Sequence, residues 1–368
     1  MHLTLFFTHK ASLKTWDSVG MFNREVAIYR RYLEKGVRVA FVTYGKHDKA
    51  LYAERLPGIE VLCNDKKLPP NLYARMIPLL HAGALRKTDI IKSNQTPGAL
   101  RALSSTTLYR KPMLARCGYM HSEFTANEHG TDSPLTRQAL NEEKTLFNGA
   151  SSIEVTTPMM KESIITRMPG TVGKITVIPN YVDTDLFRPE TADKDIDLLF
   201  IGRLTPQKNL FALLEALQGL GLKTVIIGKG AQEKELRERA VDLGVRIEWK
   251  ENIPNSDLPR YLNRSRMFIL PSHYEGHPKA LIEAMAAGLP VIGADAPGIR
   301  ELIVHMKNGW LCRTDTGSIR EAITEISASA DIRTHLSKNA RAFALSHYSL
   351  DQIIEQELGL LESIIQST

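Results

Sequence analysis

A strand-like run in the second half of the chain ends at Gly202 and is followed closely by two cations. Arg203 comes directly after the glycine, and Lys208 lies five residues further on, where a helix is predicted to begin. In parallel α/β sheets ligands bind at the carboxyl ends of the strands, and two cations beside a helix N-terminus suit a diphosphate. The alternative is a loop whose Arg and Lys side chains are simply solvated.

A second segment that could do chemistry, residues 272–285, contains two carboxylates with seven residues between them. Glu275 is predicted on a loop after a buried strand. Glu283 is predicted on the helix that starts at Pro278, since proline suits the first helical position, and it falls within an apolar run. A buried carboxylate needs a donor, and a sugar hydroxyl supplies a hydrogen bond worth about 1.5–3 kcal/mol. The alternative is an exposed loop glutamate and a glutamate on a helix surface.

Strand-like and helix-like segments alternate along the chain, the pattern of parallel sheets covered by helices, so the predicted fold class is α/β. A helix is predicted from about Gly20 to Lys35 and another near Ile299–Ile303. The predicted strands of the first half are His2–Thr8, Arg38–Tyr44, Ile59–Cys63, Ile90–Ser93, Met113–Arg116, Ser152–Thr156 and Lys174–Ile178. Those of the second half are Asp197–Gly202, Lys223–Gly228, Met267–Leu270 and Pro290–Gly293.

A proline-bracketed, turn-rich segment at residues 179–189 predicts a domain boundary, because 368 residues exceed the usual size of about 150 for one domain. Two domains are therefore predicted, over residues 1–178 and 179–348. Residues 349–368 are predicted as an amphipathic C-terminal helix, with Ile353, Ile354, Leu358, Leu361 and Ile365 on its apolar face.

The composition excludes several classes of protein. No apolar run is long enough to span a bilayer, and three scattered cysteines imply no disulfide framework, so a cytoplasmic location is predicted. The net charge is +6, with 25 Lys and Arg against 15 Asp and Glu in residues 1–178, and 22 against 26 in residues 179–368. The basic first half suggests an anionic partner, with a generally basic surface as the alternative. No nucleic-acid partner is predicted, because no recognised module is present.

The order and spacing of the charged segments resemble glycosyltransferase family 4, whose members are retaining enzymes of the GT-B fold. Glu275 and Glu283 match the family's E-x7-E pair, and Arg203 and Lys208 match its phosphate-binding cations. Further segments similar to family motifs are Ile178–Asp183, Asp295–Ile303 and Asn308–Leu311. The resemblance is dense from about residue 150 to 365 and implies two Rossmann-like domains facing a central cleft.

The resemblance also implies what the matching residues do. The second domain would bind a nucleotide-sugar donor, with Arg203 and Lys208 neutralising the diphosphate and stabilising the leaving group. Glu283 would bind the ribose hydroxyls, and Glu275 would hold the transferred sugar. Backbone groups at the start of the following helix would assist, at Gly276, His277, Pro278, Lys279, Ala280 and Leu281. Front-face substitution without a metal or other cofactor is implied.

The first half is predicted to supply the acceptor side. Ala115–His121 follows a predicted strand and is similar to the family segment that ends in an active-site histidine. His121 would contact the donor sugar or polarise the acceptor hydroxyl, with a structural loop histidine as the alternative. Arg116 and Gly20 are also predicted on the acceptor side. The family's paired glycines after the first strand are absent, since Lys10–Val19 intervenes before Gly20.

Three other patterns resemble functional motifs but have simpler interpretations. Asp183 and Asp185 form a D-x-D sequence, but in the predicted linker and not at a strand end. His273, Glu275 and His277 alternate, yet the neighbouring glycine and proline predict a turn, so no metal site is predicted. Residues 228–231 lack the spacing of a phosphate loop and predict a strand-to-helix turn.

Together these features predict a cytoplasmic hexosyltransferase of cell-surface polysaccharide or lipopolysaccharide biosynthesis. Its donor would be a UDP- or GDP-sugar and its acceptor a glycan or a lipid-linked glycan. Residues 66–87 combine basic and apolar side chains, which suits peripheral contact with the anionic inner face of a membrane, although an ordinary packed helix is the alternative. Two other functions stay open: a sugar-nucleotide epimerase of the same fold, and a non-catalytic sugar-nucleotide-binding protein.

Overall fold

The computed structural model describes residues 1–367, which divide into two compact units. The first unit comprises residues 1–18, 25–179 and the residues from 354 onward, and the second comprises residues 19–24 and 180–353. The chain thus passes between the units after Pro179 and Ile353, near the predicted boundaries at 178 and 348. The sequence pattern does not predict the assignment of residues 19–24 to the second unit.

The first unit is built on a seven-stranded sheet in the order β3-β2-β1-β4-β5-β6-β7, with all neighbours parallel. Its strands are β1 (His2–Phe6), β2 (Arg38–Val42), β3 (Ile59–Leu62), β4 (Ile90–Ser93), β5 (Met113–Cys117), β6 (Ser152–Val155) and β7 (Ile175–Val177). Every residue of β1, β4 and β6 is buried, as expected for parallel strands covered on both faces. All seven strands predicted in the first half are confirmed.

Nine α-helices begin within residues 1–179, all of which the structure describes: α1 (Leu13–Ser18), α2 (Phe22–Glu34), α3 (Asp48–Tyr52), α4 (Pro70–Leu80), α5 (Ala82–Lys87), α6 (Leu100–Tyr109), α7 (His121–His129), α8 (Pro134–Gly149) and α9 (Pro158–Arg167). Local sequence explains several of their starts. Ser133 and Thr157 cap α8 and α9 by accepting hydrogen bonds from backbone N–H groups in the first turn, and a proline follows each cap. The first residues of α2, up to Arg24, belong to the second unit.

The second unit contains a six-stranded parallel sheet in the order β10-β9-β8-β11-β12-β13. Its strands are β8 (Ile196–Ile201), β9 (Thr224–Ile227), β10 (Ile247–Lys250), β11 (Ser265–Leu270), β12 (Val291–Ala294) and β13 (Trp310–Cys312). The helices are α10 (Leu210–Leu217), α11 (Glu233–Asp242), α12 (Leu258–Arg264), α13 (Lys279–Ala286), α14 (Thr316–Ala328), α15 (Ala330–Tyr348) and α16 (Leu350–Gln366). The four strands predicted in this half are confirmed. The helix predicted near Ile299–Ile303 is wrong, because residues 297–302 form turns.

Helix α16 starts in the second unit and belongs to the first from Ile354 onward. Four of the five predicted apolar-face residues are buried, and Ile364 is buried in place of Ile365. Within the first unit, Glu357 of α16 accepts hydrogen bonds from the hydroxyl of Tyr32 and the ammonium of Lys92. Among residues 1–367, no helix has both the length and the apolar character needed to cross a membrane.

Candidate functional site

The order of the second sheet reverses between β8 and β11, and the loops after these two strands carry the predicted cations and one of the two glutamates. Such a reversal is where ligands bind in open α/β sheets, because the loops diverge there and leave a crevice. After β8 the chain turns at Gly202 and forms a short 3₁₀ helix over Pro206–Lys208. Lys208 is buried, and its ammonium Nζ donates a hydrogen bond to Glu275 Oε1. The structure therefore brings Lys208 and Glu275 together.

Gln207, which the sequence pattern does not single out, holds the loop that carries Glu275. Its side-chain amide nitrogen donates to the backbone carbonyl of Tyr274 at 2.7 Å and lies 3.4 Å from Glu275 Oε2. The backbone carbonyl of Gln207 accepts from the N–H of His273 at 2.9 Å. Arg203 Nη2 lies 3.4 Å from the Gln207 side-chain oxygen. The only signal in the sequence is the position of this glutamine beside Lys208, and a neutral amide in a loop does not by itself predict a role.

Gly298 fixes the same loop from the other side. Its φ of 80° lies in the left-handed region, and a Cβ placed there would be 2.3 Å from the carbonyl oxygen of Glu275. The Glu275 N–H donates to the carbonyl of Pro297 at 2.9 Å. This close approach explains why residues 297–302 turn where a helix was predicted, since the backbone must bend around the Glu275 loop.

Glu283 lies in α13 and is 2% exposed, so it is not on a helix surface. Asn255 Nδ2 donates to its Oε1 at 2.9 Å, and Arg24 Nη1 lies 3.4 Å from the same oxygen. The other carboxylate oxygen, Oε2, is buried and has no hydrogen-bond partner among residues 1–367. A buried acceptor of this kind costs about 1–3 kcal/mol when it is left unpaired. Glu283 thus has one buried acceptor oxygen that no described residue pairs.

Gly20 lies beside this glutamate's partners, not in the unit to which the acceptor-side prediction assigned it. Its carbonyl accepts from the N–H of Asn255 at 2.8 Å. Its φ is 76°, and a Cβ there would be 2.4 Å from the carbonyl oxygen of Ile253. Residues 19–24 therefore pack on the segment that supplies Asn255, within the second unit.

The residues after Glu275 have separate tasks. His277 is buried; its Nδ1 accepts from the N–H of Asn180 at 3.3 Å, its carbonyl accepts from the Asn180 side chain at 2.7 Å, and its ring lies edge-on to Tyr348. Its ring is therefore occupied by the linker. The ammonium of Lys279 lies 5.5 Å above the ring of Tyr181, a cation–π contact.

The start of α13 provides little free backbone at its later positions. Gly276, Lys279 and Ala280 are half-buried, whereas Pro278 and Leu281 are buried. The N–H of Leu281 donates to the carbonyl of Pro278 at 3.2 Å, so this amide is already paired. The half-buried positions before it are the ones left for the predicted backbone contacts.

In the first unit, His121 is the first residue of α7, directly after the loop that follows β5. The next residue, Ser122, anchors the helix start: its N–H and hydroxyl donate to the two carboxylate oxygens of Glu143 at 2.9 and 2.6 Å. Burial raises the pKa of Glu143, and the hydrogen bonds from Ser122 and the charge of Arg167 oppose that shift. A carboxylate at a helix N-terminus is favourable, so Glu143 fixes the backbone that carries His121.

Arg116 is a member of a buried ion cluster. Its Nε donates to Glu154 Oε1 at 2.9 Å. Burial alone would lower the pKa of Arg116, but the charges of Glu154 and Glu357 outweigh it and the pKa is raised. The guanidinium therefore has a structural partner, in addition to its predicted place on the acceptor side.

His9, which the sequence pattern also does not single out, lies after β1, where the order of the first sheet reverses between β1 and β4. Its Nε2 is within hydrogen-bond distance, 3.1 Å, of the side-chain oxygen of Asn71. Its Nδ1 is buried without a hydrogen-bond partner among the described residues. A histidine just past a predicted strand end was the signal in the sequence.

The sequence patterns that resemble metal or phosphate motifs lie in turns or pair with neighbouring residues. Asp183 Oδ1 accepts from the N–H groups of Asp185 and Leu186 at 3.1 and 3.0 Å, which makes it the cap of a turn. Residues 228–231 follow β9 and precede α11, and the ammonium of Lys229 pairs with Glu251 at 2.7 Å. No three His, Cys, Asp or Glu side chains in residues 1–367 are grouped so that they could hold a metal ion.

Two family models match the chain and together extend from residue 20 to residue 343. The model described as Glycosyltransferase Family 4 matches residues 20–186, and that described as Glycosyl transferases group 1 matches residues 182–343. Among curated proteins, the amylovoran biosynthesis glycosyltransferase AmsK of Erwinia amylovora is 34% identical over 154 residues, 38% of each chain. The match spans 48%, 45% and 38% of the length of three of these curated relatives.

Two solved structures are similar over nearly the whole chain. The sucrose-phosphate synthase of Thermosynechococcus elongatus superposes with a TM-score of 0.83 at 18% identity, covering 100% of both chains. The Anabaena protein HepE, in complex with UDP-glucose, gives 0.77 at 20% identity, covering 98% of this chain and 99% of that one. At these identities the likeness shows the fold alone.

Proposed function

Because this chain belongs to the family 4, group 1 glycosyltransferases of the GT-B fold, we propose that it transfers a hexose-type sugar from a nucleotide-diphosphate sugar to a glycan or lipid-linked glycan, with retention of anomeric configuration. The observation that carries the proposal is the pair of glutamates in the second unit: Glu275, which is bonded to Lys208, and the buried Glu283, which has an unpartnered oxygen. A nucleotide sugar brings both an anion for the cations and hydroxyl donors for the carboxylates.

Each glutamate has a distinct part in the proposed donor complex. Glu283 Oε2 accepts from a ribose hydroxyl, which would satisfy the buried oxygen. Glu275, whose side chain is 8% exposed, accepts hydrogen bonds from hydroxyls of the transferred sugar, and Lys208 stabilises the negative charge of this glutamate. Arg203 and Lys208 lie at the end of β8, where they neutralise the diphosphate.

The proposed reaction needs no covalent intermediate on the protein. The bond between the anomeric carbon and the diphosphate oxygen breaks, the acceptor oxygen bonds to that carbon from the same face, and the acceptor's proton passes to the leaving phosphate oxygen. Arg203 and Lys208 stabilise the charge that develops on the leaving group, and His121 of the first unit polarises the acceptor hydroxyl. The cations of the chain take the part that a metal or other cofactor plays elsewhere.

Relatives supply the context for the substrate. AmsK is named for amylovoran biosynthesis, and HepE was solved with UDP-glucose. The proposed pathway is therefore the synthesis of a cell-surface polysaccharide or lipopolysaccharide in the cytoplasm. A UDP-sugar is the favoured donor, and a GDP-sugar is the alternative.

Peripheral contact with an anionic bilayer is part of the proposed function. Leu72 and Leu79 of α4 are 46% and 64% exposed, Arg75 between them is exposed, and α5 ends in the exposed pair Arg86 and Lys87. Apolar and basic side chains on adjoining short helices suit a surface of anionic headgroups.

Vesicle sedimentation tests this surface. The protein should sediment with vesicles that contain phosphatidylglycerol and much less with pure phosphatidylcholine, and Leu79→Glu should weaken that binding. Val241→Glu, at an 80% exposed position of α11, is the matched control. Equal binding by the wild type and Leu79→Glu would show that α4 does not contact the membrane.

A panel of nucleoside diphosphates and nucleotide sugars, scored by thermal shift with and without EDTA, tests the donor site. A ligand at a hundred times its Kd should add about 2.7 kcal/mol to the free energy of unfolding. We expect a shift with one nucleotide, unchanged by EDTA and lost in Glu283→Ala. No shift with any nucleotide would overturn the donor site, and a shift abolished by EDTA would overturn the metal-independent reaction.

Turnover separates the three functions. A transferase releases nucleoside diphosphate only when an acceptor is present, as a set of oligosaccharide and polyprenyl-linked acceptors would show. Free epimerised donor formed without acceptor would establish the epimerase, and donor binding without turnover on any acceptor would favour the non-catalytic binder.

A further inference from the structure

The side chain of Arg24 makes a contact that the sequence does not predict. Residues 19–24 belong to the second unit, and Arg24 Nη1 is 3.4 Å from Glu283 Oε1, although the two residues are 259 positions apart in the chain. The Arg24 side chain is 18% exposed and that of Glu283 is 2% exposed, so the pair is largely shielded from water.

We propose that Arg24 is a positioning residue for the donor site: together with Asn255 it holds Glu283 Oε1, so that Oε2 is kept as the acceptor for a ribose hydroxyl. This inference rests on the proposed function, since it concerns the same nucleotide site. Arg24 acts through Glu283 and needs no contact with the donor.

The backbone around Arg24 is held independently of its side chain. The hydroxyl of Tyr181 donates to the Arg24 carbonyl at 2.5 Å. Four residues earlier, the carbonyl of Gly20 accepts from the N–H of Asn255, and the close approach of Gly20 to Ile253 leaves no space for a side chain. The start of α2 and the segment that carries Asn255 are thus locked to each other, and both deliver a donor to one carboxylate oxygen.

The two donors that contact Glu283 Oε1 also fix the position of the second carboxylate oxygen, Oε2. The terminal torsion of a glutamate is broad, so an unrestrained carboxylate rotates and exchanges its two oxygens. With Asn255 Nδ2 at 2.9 Å and the Arg24 guanidinium beside Oε1, rotation would break both contacts. The positive charge of Arg24 also offsets part of the cost of burying the Glu283 carboxylate.

The preference of the site for a ribonucleotide over its 2′-deoxy form reports directly on this arrangement. Affinities of the full-length protein for UDP and 2′-deoxy-UDP, and for GDP and 2′-deoxy-GDP, are measured by calorimetry on the wild type, Arg24→Met, Arg24→Lys and Asn23→Ala. Asn23 is adjacent on α2, and its amide lies 3.5 Å from the Ser256 hydroxyl, so its variant controls for disturbance of the helix start. Thermal unfolding of each variant checks its fold.

We expect the wild type to bind its ribonucleotide more tightly than the 2′-deoxy form. Arg24→Met should lower ribonucleotide affinity about tenfold, the loss of one charged hydrogen bond, and bring the ratio of the two affinities close to one. Arg24→Lys should recover part of that ratio, and Asn23→Ala should keep it. A folded Arg24→Met that retains the wild-type ratio would overturn the positioning role. If the wild type binds neither ribonucleotide, the donor site itself fails, and the inference falls with it.

Discussion

At the scale of single residues, the proposed donor site contains charges that are already paired in the structure. Lys208 and Glu275 are 11% and 8% exposed and are joined by a hydrogen bond, so each neutralises the other within the second unit. A buried pair of this kind contributes little net stability, but removal of one partner leaves the other charge uncompensated. Lys208 thus gives Glu275 a nearby counter-charge and adds a cation at the end of β8.

The first prediction concerns Lys208→Met. We expect this variant to lose about tenfold to a hundredfold in affinity for the nucleoside diphosphate that binds the wild type, because a charge-assisted contact to phosphate is removed. Affinity for the corresponding nucleoside, which lacks the phosphates, should change little. Calorimetric titration of both ligands gives the comparison.

Lys229→Met is the matched control, since Lys229 is exposed and pairs with Glu251 after the neighbouring strand β9. Its nucleotide affinity should equal that of the wild type. An equal loss for nucleoside and nucleoside diphosphate in Lys208→Met would show that the lysine supports the loop and does not bind the phosphates.

At the scale of elements, the loop that carries Glu275 is clamped between the 3₁₀ helix after β8 and the turn after β12. Gln207 holds one side of the loop, and Gly298 touches the backbone on the other. The position of the Glu275 carboxylate is therefore set by two segments far from it in sequence.

The second prediction is that Gly298→Ala lowers kcat/KM at least about tenfold. A methyl group 2.3 Å from the Glu275 carbonyl oxygen must displace the loop, and a φ of 80° costs an alanine about 1 kcal/mol. Steady-state kinetics with saturating acceptor measure the effect, and the melting temperature shows how much is stability.

Gly359→Ala serves as the comparison, because Gly359 lies inside α16 and its added methyl group would meet nothing within 4 Å outside the helix backbone. Alanine there should raise stability by about 0.5–1 kcal/mol and leave activity unchanged. Wild-type activity in Gly298→Ala would show that the loop tolerates the displacement and that Glu275 is not positioned by this contact.

At the scale of the whole molecule, the C-terminal helix is joined to the first sheet by a buried cluster of ionisable groups. Lys92 of β4 contacts Glu154 of β6 at 3.4 Å and donates to Glu357 of α16, and Tyr32 of α2 donates to the same glutamate. Burial raises the pKa of Glu154, and the charge of Glu357 raises it further. Burial and Glu357 likewise raise the pKa of Tyr32.

The third prediction is that Lys92→Met destabilises the protein by about 3–5 kcal/mol, because two buried carboxylates lose their shared cation. The loss should be larger at pH 8 than at pH 5. The charge of Lys92 lowers the pKa of Glu154, so its removal raises that pKa further. A carboxyl whose pKa is raised in the folded state loses stability as the pH rises from the ordinary carboxyl pKa through the raised value, and this loss is therefore greater in the variant than in the wild type. Urea unfolding at the two pH values measures this.

Lys35→Met is the control for Lys92→Met, since Lys35 pairs with Glu355 of the same helix but is half exposed. Its effect should stay below about 1 kcal/mol at both pH values. A loss in Lys92→Met that is identical at pH 5 and pH 8 would contradict the effect of Lys92 on the pKa of Glu154.

Much of the fold was predictable because strand and helix formation depends on neighbouring residues. The short β-branched runs such as Asp197–Gly202 and Lys223–Gly228 lie within one or two residues of β8 and β9. β10 was missed, since its four residues lie at the sheet edge and are only half-buried, which weakens the hydrophobic pattern. The helix predicted near Ile299–Ile303 failed because the contact of Gly298 with the Glu275 loop overrides local helix preference.

The α/β class, the alternation of elements and the residues of the two charged segments can be read from the amino-acid order, because each is a property of adjacent residues and their spacing. Which polar and charged groups meet depends on the folded chain: Lys208 with Glu275, Arg24 and Asn255 with Glu283, and Lys92 with Glu357. Folding also places Gly20 in the second unit and turns the His277 ring toward Asn180 and Tyr348. Partners of this kind lie tens to hundreds of residues apart, and only the sheet order and the passage of the chain between units bring them within hydrogen-bond distance.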